Sequence, residues 1–336
     1  MADCEERFPI DLVYCWCDDT DRVWREKRLA TAAKCGIGLG GAANGDCRYA
    51  DNDDLRHSLR SVALYAPWIR QIFIVIDDDA RSPSWLKTGD RVRIVRHGEI
   101  MPASIIPCFD SMVIEHYLAA IPGLSEHFLY ANDDMMFNCS TGPEFFFAAD
   151  GYPICRYGGK RAPVESKSTR TPYMTAVAKA EDMLKDRFGL HGQFAKAYRM
   201  PPHHNIDAYL RSDYEACARE FARDIEAASA FPFRGEHDVE RTLYMGYALC
   251  VGHGHYRQAR RGVSLNRPWY KRLLRPGYAD SLHLSSCQWG RTEAFLNLFR
   301  PKLMCFNDGS GVTDLERSWL KGYYAKRFPD KSCFES

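Results

Sequence analysis

The sequence has no apolar run approaching the roughly 20 residues that cross a bilayer, which excludes transmembrane helices. It also has almost no net charge, because 45 Lys and Arg oppose 44 Asp and Glu. A general nucleic-acid-binding protein carries a clear basic excess, so that class is excluded. The acidic start does not resemble a secretory signal, and repeats and low-complexity segments are absent. We therefore expect a soluble, cytoplasmic protein.

Cysteine, in contrast, is common, with 13 in 336 residues. In a chain without a signal peptide, most cysteines are expected to be reduced and buried as small apolar residues. Cys15 and Cys17 alternate along an apparent strand, but two thiols alone do not complete a zinc site. We interpret the cysteines as core or loop residues.

The first half of the chain alternates between strand-like and helix-like segments. The segments predicted as strands are residues 10–16, 71–76, 91–95 and 127–131. The predicted helices are residues 23–33, a helix capped by Asn52, and residues 111–120, with a glycine-rich loop at 36–45. This order is typical of a mostly parallel α/β sheet with helices on both faces, a Rossmann-like core of the nucleotide-binding type.

The second half is more helical. Its predicted helices are residues 176–188, 207–228, 239–249 and 313–327. Residues 241–279 contain no acidic residue and interleave arginines and lysine with Trp269 and Tyr270. That segment predicts contact with an anionic acceptor or an anionic membrane surface. A solvated basic face is the alternative.

Two adjacent carboxylates, Asp133 and Asp134, follow the predicted strand at 127–131. Like charges this close raise each other's pKa unless a cation lies between them. Ligands of α/β proteins bind at the carboxyl ends of the strands. The pair therefore predicts a divalent metal held against a phosphate, with a solvated turn or helix cap as the alternative.

A second acidic cluster follows the first predicted strand. Asp18 and Asp21 are candidates to bind a metal or to accept hydrogen bonds from a ribose or a sugar. Trp16 is a candidate to stack on a ring. A turn beside a core tryptophan accounts for the same residues.

Arg56 and Arg60 share one face of the helix that follows Asn52. Like charges at i and i+4 cost about a few tenths of a kcal/mol unless an anion lies nearby. Guanidinium groups match phosphate bidentately, so the two arginines predict a phosphate site. Pairing with Asp53 and other acids of the same helix is the alternative.

Two later clusters also carry polar groups suited to catalysis. His203 or His204 is a candidate to take the proton of an attacking hydroxyl, and Arg234 to neutralise a transferred phosphoryl group. Either histidine alone is more often structural. Asn307 and Asp308 repeat the Asn-Asp theme before the last helix and are also typical of a cap or turn.

Together these regions resemble the Stealth family of sugar-1-phosphate transferases. That family includes bacterial capsule polymerases and the animal lysosomal-enzyme N-acetylglucosamine-1-phosphotransferase. The four matching regions are, in order, residues 11–21, residues 48–134, the weaker region containing His203, His204 and Arg234, and residues 305–335. One departure is Asp19, which stands where the family has glycine.

The resemblance implies transfer of a sugar 1-phosphate from a nucleotide diphosphate sugar to a saccharide hydroxyl in capsular or exopolysaccharide synthesis. A phosphodiester and a nucleoside monophosphate would be the products. It also implies a GT-A-like fold and a single catalytic domain over 1–336. The core at 1–150 would bind the donor, the helical lobe at 151–300 would face the acceptor, and 301–336 would return to the active site.

The resemblance also implies a divalent cofactor, Mg²⁺ or Mn²⁺, and assigns roles to residues. The implied metal ligands are Asp133, Asp134 and Asp308. The implied catalytic residues are Asp133, His203, His204 and Arg234. The implied donor- and phosphate-binding residues are Trp16, Asp18, Asp21, Arg48, Asn52, Arg56, Arg60, Asn132 and Asn307. The family partners are a nucleotide sugar and a glycan, with possible peripheral attachment to a membrane.

Two other functions are compatible with the same sheet and acids. One is a metal-dependent glycosyltransferase, which would release a nucleoside diphosphate. The other is a binding module without turnover. The sequence leaves open the base and sugar of the donor, the acceptor, the number of transfers and the oligomeric state.

Overall fold

The protein is described here by a computed structural model, which covers residues 8–158, 171–259, 281–285, 293, 296, 301–309 and 311–336. In chain order the strands are β1 (Ile10–Cys15), β2 (Ile72–Ile76), β3 (Val92–Arg96), β4 (His127–Asn132), β5 (Met135–Phe137), β6 (Ile154–Tyr157), β7 (Asp207–Leu210), β8 (His255–Gln258), β9 (Ser281–Ser285) and β10 (Leu303–Asn307).

The helices surround these strands. In chain order they are α1 (Arg22–Cys35), α2 (Gly41–Asn44), α3 (Asp54–Tyr65), α4 (His97–Ile100), α5 (Ser111–Glu115), α6 (Pro172–Phe188), α7 (Gly192–Ala197), α8 (Arg211–Glu220), α9 (Ala222–Ser229), α10 (Thr242–Val251) and α11 (Asp314–Arg327). In the described part of the chain, none of them is both long and apolar enough to span a membrane.

The central sheet has five strands in the order β3-β2-β1-β4-β7. The first four are parallel, and β7 pairs antiparallel with β4. Because β1, β2 and β4 are parallel neighbours, their carboxyl ends lie at one edge of the sheet. This arrangement confirms the predicted α/β class with a mostly parallel sheet.

Both faces of the sheet are covered, as predicted. On one face Val13 and Tyr130 belong to a core that includes residues of α5, α8 and α10. On the other face Tyr14 and its neighbours pack against α3, where Ser58 accepts or donates a 2.7 Å hydrogen bond with the Tyr14 hydroxyl. Ser58 also donates to the carbonyl of Met135, which fixes α3 beside the turn between β4 and β5.

The C-terminal segment joins the same edge through a second sheet, ordered β5-β10-β9. β10 pairs antiparallel with β5 and parallel with β9. Asn307 ends β10 and Asp308 follows it. The pairing brings both residues close to the turn at Asp133 and Asp134, where the Asp134 carbonyl accepts from the Phe306 amide. A further two-stranded sheet consists of β6 and β8.

Three predicted elements are wrong in detail. Residues 207–228 do not form one helix, because β7 precedes α8 and α9. The predicted helix at 111–120 ends at Glu115, and a 3-10 turn follows at Leu118–Ala120. Asn52 is not the cap of α3: Asp53 holds that position in a left-handed conformation, and Asp51 accepts from the Asp54 amide instead.

Candidate active site

A cleft opens at the carboxyl ends of β1, β2 and β4, where the parallel topology predicts a ligand site. It brings together just over half of the residues that the sequence assigned to a site. Those residues are Trp16, Arg48, Asn132, Asp133, Asp134, Arg234, Asn307 and Asp308. Because they come from regions throughout the chain, folding assembles a site that no single segment contains.

The acid pair forms the tight turn between β4 and β5. Asp134 accepts a 3.4 Å hydrogen bond from the Cys305 thiol at Oδ2, and its buried Oδ1 has no partner among the described residues. Burial raises the pKa of Asp134 to about 6. Burial, with the charges of Asp54 and Asp134, raises the pKa of Asp133 well above its usual range. Both acids are therefore unstable as bare carboxylates.

Two further carboxylates, Asp51 and Asp54, enlarge this cluster, and the sequence did not assign either to the site. Asp54 lines the cleft, and burial raises its pKa to about 8. Burial likewise raises the pKa of Asp51 to about 6. Their sequence signal is the acidic run at 51–54, which the dipole of the helix that begins there explains equally well, because acids in a first turn are favoured. We call Asp51, Asp54, Asp133 and Asp134 the acid cluster.

Two arginines face the acid cluster from other segments. Arg48 ends a 3-10 turn and Arg234 follows Phe233, and both line the cleft. Burial and the nearby charge of Arg234 lower the pKa of Arg48. Two guanidinium groups that repel each other beside a cluster of acids are well suited to a ligand that carries several anionic oxygens, as a phosphate does.

Asp308 differs from the acid cluster because one arginine and two amide groups already bind its carboxylate. Arg317 forms a two-pronged ion pair with it, at 2.8 and 3.2 Å. Asn52 donates to its Oδ2 at 3.3 Å, which places Asn52 behind the cleft rather than on its wall. To bind a metal ion as predicted, Asp308 would have to give up at least one of its hydrogen bonds with Arg317 or Asn52.

Asp18 and Asp21 do not line the cleft. Asp18 accepts from the amide and hydroxyl of Thr20, as in a turn. Asp21 caps α1 through the Val23 amide and accepts from the Arg81 amide with its other oxygen. Their contacts match the alternative interpretation of this region, and their donor roles stay predictions.

Arg56 and Arg60 also lie away from the cleft, and both bind Glu335. The Glu335 carboxylate is buried and accepts from Arg56 at 2.7 Å and from Arg60 at 2.7 and 2.8 Å. The acid that pairs with them thus comes from the end of the chain rather than from their own helix. The Glu335 carboxylate occupies the position at which we expected a phosphate, and the phosphate role of the two arginines stays a prediction.

The two histidines lie next to β7, which pairs with the cleft strand β4, but neither lines the cleft. His203 is buried, and neither of its ring nitrogens has a hydrogen-bond partner among the described residues. Burial, with the charges of Arg156 and Arg241, lowers the pKa of His203 to about 3. His204 is less buried and packs edge-on against Tyr173 at 5.6 Å.

The acid-free segment begins at Arg241, which is buried rather than exposed. Arg241 pairs with Glu115, Asp207 and Glu240 at 3.2 to 3.4 Å. This arginine is therefore part of the core and not of a basic surface. The basic residues predicted to contact an anionic acceptor at 260–275 lie outside the described residues.

Two groups of side chains, one in the cleft and one behind Arg234, carry atoms that could bind a metal ion. In the acid cluster, the unpartnered Oδ1 of Asp134 and the raised pKa values of its neighbours fit a hard divalent cation, which prefers oxygen ligands. Among the described residues, the group of three acids and histidines whose possible ligand atoms all lie within 4.8 Å of one another is a different one, Asp110, His237 and Asp238. The sequence did not single out that group.

The profile of Stealth protein conserved region 2 matches residues 48–154, which include Arg48, Asp54, Asp133 and Asp134. An exopolysaccharide phosphotransferase of Streptomyces coelicolor is 30% identical over 98% of the chain. The chain belongs to the Stealth family. The resemblance drawn from the sequence is therefore confirmed.

Two further relatives of this Stealth protein bear related names. An exopolysaccharide phosphotransferase of Nocardia farcinica is 35% identical over 98% of this chain and 61% of the relative. The capsular polysaccharide phosphotransferase LcbA of Aeromonas hydrophila is 31% identical over 70% of this chain and 64% of the relative. The Streptomyces protein is matched over 57% of its length. The chain thus spans under two thirds of each of these three relatives.

Among solved structures, mouse xyloside xylosyltransferase 1 in its apo form matches 91% of the Stealth chain and 99% of its own. The identity is 10% and the TM-score is 0.37. A similarity of that size supports no inference about a ligand.

Proposed function

We propose that the protein transfers a sugar 1-phosphate from a nucleotide diphosphate sugar to a hydroxyl of a saccharide. The acceptor oxygen attacks the phosphorus that carries the sugar. The bond from that phosphorus to the bridging oxygen breaks, and a nucleoside monophosphate leaves. The proton of the acceptor hydroxyl passes to a base, so a phosphodiester forms without a change at the sugar carbon.

The observation that carries the proposal is the opposition of charges in one cleft. Three carboxyl groups with raised pKa values, those of Asp54, Asp133 and Asp134, line the cleft together with Arg48 and Arg234, and Asp51 with its raised pKa lies next to them in the acid cluster. Bare carboxylates repel a diphosphate, whereas a cation between them attracts it. The names of the relatives, exopolysaccharide and capsular polysaccharide phosphotransferases, support the same class of reaction.

The acid cluster supplies the oxygen ligands that Mg²⁺ or Mn²⁺ prefers, chiefly Asp133 and Asp134. Such an ion would neutralise charge on the diphosphate oxygens and on the leaving monophosphate. Asn132 orders this end of the cleft, because its Oδ1 accepts a 3.0 Å hydrogen bond from the Tyr130 hydroxyl. Asp308 could become a ligand of this ion only if one of its oxygens left Arg317 or bound the ion and Arg317 together.

Arg48 and Arg234 would bind the non-bridging oxygens of the transferred phosphoryl group. Charge on those oxygens spreads in the transition state, so fixed guanidinium groups lower the barrier without reorganisation. Trp16 lines the same cleft and is only 6% exposed, so it can contact a ring of the donor with one face.

Of the two histidines, we propose His204 as the base. His203 has a pKa lowered to about 3, which makes it a weak proton acceptor. His204 precedes β7, whose first residue Asp207 pairs with Tyr130 near the carboxyl end of β4, the end at which the cleft opens. The helical part of the chain after residue 150 would then present the acceptor, and residues 301–336 complete the cleft through β10.

The proposal is tested by a screen of nucleotide sugars with Mg²⁺ or Mn²⁺, with and without saccharide acceptors. Nucleoside monophosphate released together with a phosphodiester product supports sugar-phosphate transfer and names the donor. Nucleoside diphosphate would instead establish a glycosyltransferase. Asp133→Asn should abolish turnover, while Asp150→Asn, at an exposed residue paired with His255, serves as the matched control.

A further inference from the structure

Arg234 is held from behind by two residues at the start of α5. Its Nη2 donates a 2.6 Å hydrogen bond to Ser111 Oγ, and its Nε lies 3.6 Å from Asp110 Oδ1. A guanidinium has five N–H donors. These two contacts leave donors for a ligand in the cleft that Arg234 lines.

The backbone on either side of this contact is also fixed. The amide of Phe109 donates a 2.8 Å hydrogen bond to the carbonyl of Pro232. The rings of Phe109 and Phe233 stack with centroids 5.2 Å apart and planes 16° apart. Asp110 and Arg234 directly follow these two rings, so the distance between their side chains is set by packing.

A second carboxyl group, Asp238, lies beside Asp110. Both residues are buried, at 0% and 2% exposure. Asp110 caps α5 by accepting from the Met112 amide, and Asp238 accepts from the Gly235 amide. The remaining oxygen of Asp110, Oδ2, is buried without a hydrogen-bond partner among the described residues, and the remaining oxygen of Asp238, Oδ1, lies 3.1 Å from His237 Nε2.

Two buried carboxylates facing one guanidinium carry one negative charge too many. A proton shared between the carboxyl groups removes that excess and satisfies an oxygen that is otherwise unpartnered. Consistent with this, burial and the charge of Asp238 raise the pKa of Asp110 to about 7. Burial raises the pKa of Asp238 as well.

We propose that Asp110 and Asp238 share one proton and together position the Arg234 guanidinium for an anionic group of the substrate. The inference rests on the proposed function for the phosphate that Arg234 would bind. Asp110 and Asp238 act through Arg234 and are positioning residues. With one negative charge on the pair instead of two, Arg234 is held in place without a second negative charge that would repel an anionic group in the cleft.

A divalent cation at Asp110, His237 and Asp238 is the competing arrangement. The surroundings favour the proton. His237 Nε2 lies 3.1 Å from the Phe233 carbonyl, so that nitrogen donates a proton and is not available as a ligand. The charged or titratable groups that interact with the pair are Arg234, His237, Lys179, Cys108 and Tyr49. Glu115 and Arg48 interact with Arg234.

The test is a calorimetric titration of the full chain with inorganic pyrophosphate, which does not require turnover. Asp110→Asn and Asp238→Asn each keep one negative charge and a hydrogen-bond donor, so each should weaken binding only about threefold. The double variant removes the charge and should weaken binding about thirtyfold. Thr171→Ala removes the cap of α6 at a residue that does not line the cleft and is the control for loss of a cap.

A double-mutant cycle separates positioning from a general structural effect. In an Arg234→Ala background the double Asn change should alter the pyrophosphate Kd by less than about twofold. Equal losses with and without Arg234 would overturn the inference. The inference would also be overturned if one single Asn variant lost as much affinity for pyrophosphate as the double variant. That result would mean that both carboxyl groups must be charged.

The pH profile provides a second readout. Above neutral pH the wild-type pair loses its shared proton, and the added negative charge should weaken pyrophosphate binding relative to Asp110→Asn. Identical pH profiles in the two proteins would exclude a shared proton. A metal ion retained by Asp133→Asn and lost by Asp110→Asn would also overturn it, in favour of a cation site.

Failure of the proposed function is distinguishable from failure of this inference. If the wild type releases no nucleotide but the pyrophosphate cycle is coupled through Arg234, the positioning role stands and the proposed reaction is wrong. If turnover is observed but the double Asn change weakens pyrophosphate binding equally with and without Arg234, the reaction stands and the positioning role is wrong.

Discussion

The hydroxyl of Tyr324 donates a 2.7 Å hydrogen bond to Oδ1 of Asp54, across 270 positions of the chain. Tyr324 lies on α11 and is fully buried, while Asp54 begins α3 and lines the cleft. The bond favours the ionised carboxyl group and so lowers the pKa of Asp54 against the larger effect of burial. The last helix therefore adjusts the charge of the acid cluster.

Tyr324→Phe should weaken metal binding and destabilise the fold. Without the hydroxyl, the pKa of Asp54 rises further and the carboxyl group is more often protonated near neutral pH. The free energy of unfolding should fall by about 1–2 kcal/mol, since a buried hydrogen bond to a charged group is lost. Urea denaturation and calorimetric titration with Mn²⁺ measure the two effects.

Tyr214→Phe is the matched control for that change. Its hydroxyl also makes a buried hydrogen bond, but to the Glu115 carbonyl instead of the acid cluster. We expect it to lose stability without weakening Mn²⁺ binding. If both phenylalanine variants weaken Mn²⁺ binding equally, the effect of Tyr324 is not specific to Asp54.

The parts of the fold that the sequence predicted well are those with local signals. β2 is a continuous apolar run and β4 ends at an acid pair, so both were visible without knowledge of their neighbours. β7 was missed because Asp207 and the residues after it have helical character. The strand forms because it pairs with β4, and because Arg241 neutralises Asp207 within the core.

The site was predicted to a similar extent and for the same reason. Asp133 and Asp134 carry a local signal, since two acids follow an apolar strand. Arg56 and Arg60 carry one too, but their partner Glu335 lies 275 positions from Arg60, where no local pattern reveals it. Asp110 gives no sequence signal at all, because its significance comes from its packing beside Arg234.

The stability of the metal-free protein should fall as pH rises through the neutral range. The pKa values of Asp51 and Asp134 are raised to about 6 and that of Asp54 to about 8. A carboxyl group whose pKa is higher in the folded than in the unfolded state stabilises the fold while it is protonated. That contribution to the free energy of unfolding is lost as pH rises through the folded pKa. The melting temperature in EDTA should therefore decrease from about pH 5 to about pH 8.5.

Added Mg²⁺ or Mn²⁺ should restore this stability, and more so at high pH, because a cation competes with protons for the same oxygens. Asp134→Asn should reduce both the pH slope and the gain from metal. A melting temperature that rises with pH in EDTA, or a gain from metal that is independent of pH, would argue against a cation site in the acid cluster.

Glu335→Gln should destabilise the protein by about 3 kcal/mol, because it leaves two guanidinium groups without their buried partner. Hydrogen bonds from Arg60 and Arg56 outweigh burial and lower the pKa of Glu335 to about 2. Its contribution to stability is therefore present above the unfolded pKa and is lost only as pH falls through about 2. Denaturation at neutral pH is the appropriate measurement.

The same variant tests the phosphate role predicted for Arg56 and Arg60. If the arginines serve only to hold Glu335, the affinity for the donor should be unchanged in the folded fraction of Glu335→Gln. Glu316→Gln, at an exposed acid in the cap of α11, is the control for loss of a carboxylate. An Arg60→Ala variant with normal stability and weaker donor binding would establish the phosphate role instead.

His204→Ala should lower kcat/KM about 100-fold or more, whereas His203→Ala should have a much smaller effect. His203 is neutral at working pH because its pKa is lowered to about 3, and neither ring nitrogen is bonded within the described part of the chain. Its replacement removes packing but no proton acceptor. Release of nucleoside monophosphate measures the rate, and melting temperature shows whether either variant is misfolded. A larger loss in His203→Ala at equal stability would reverse the assignment, and full activity in the double alanine variant would remove histidine from the reaction and leave an aspartate as the base.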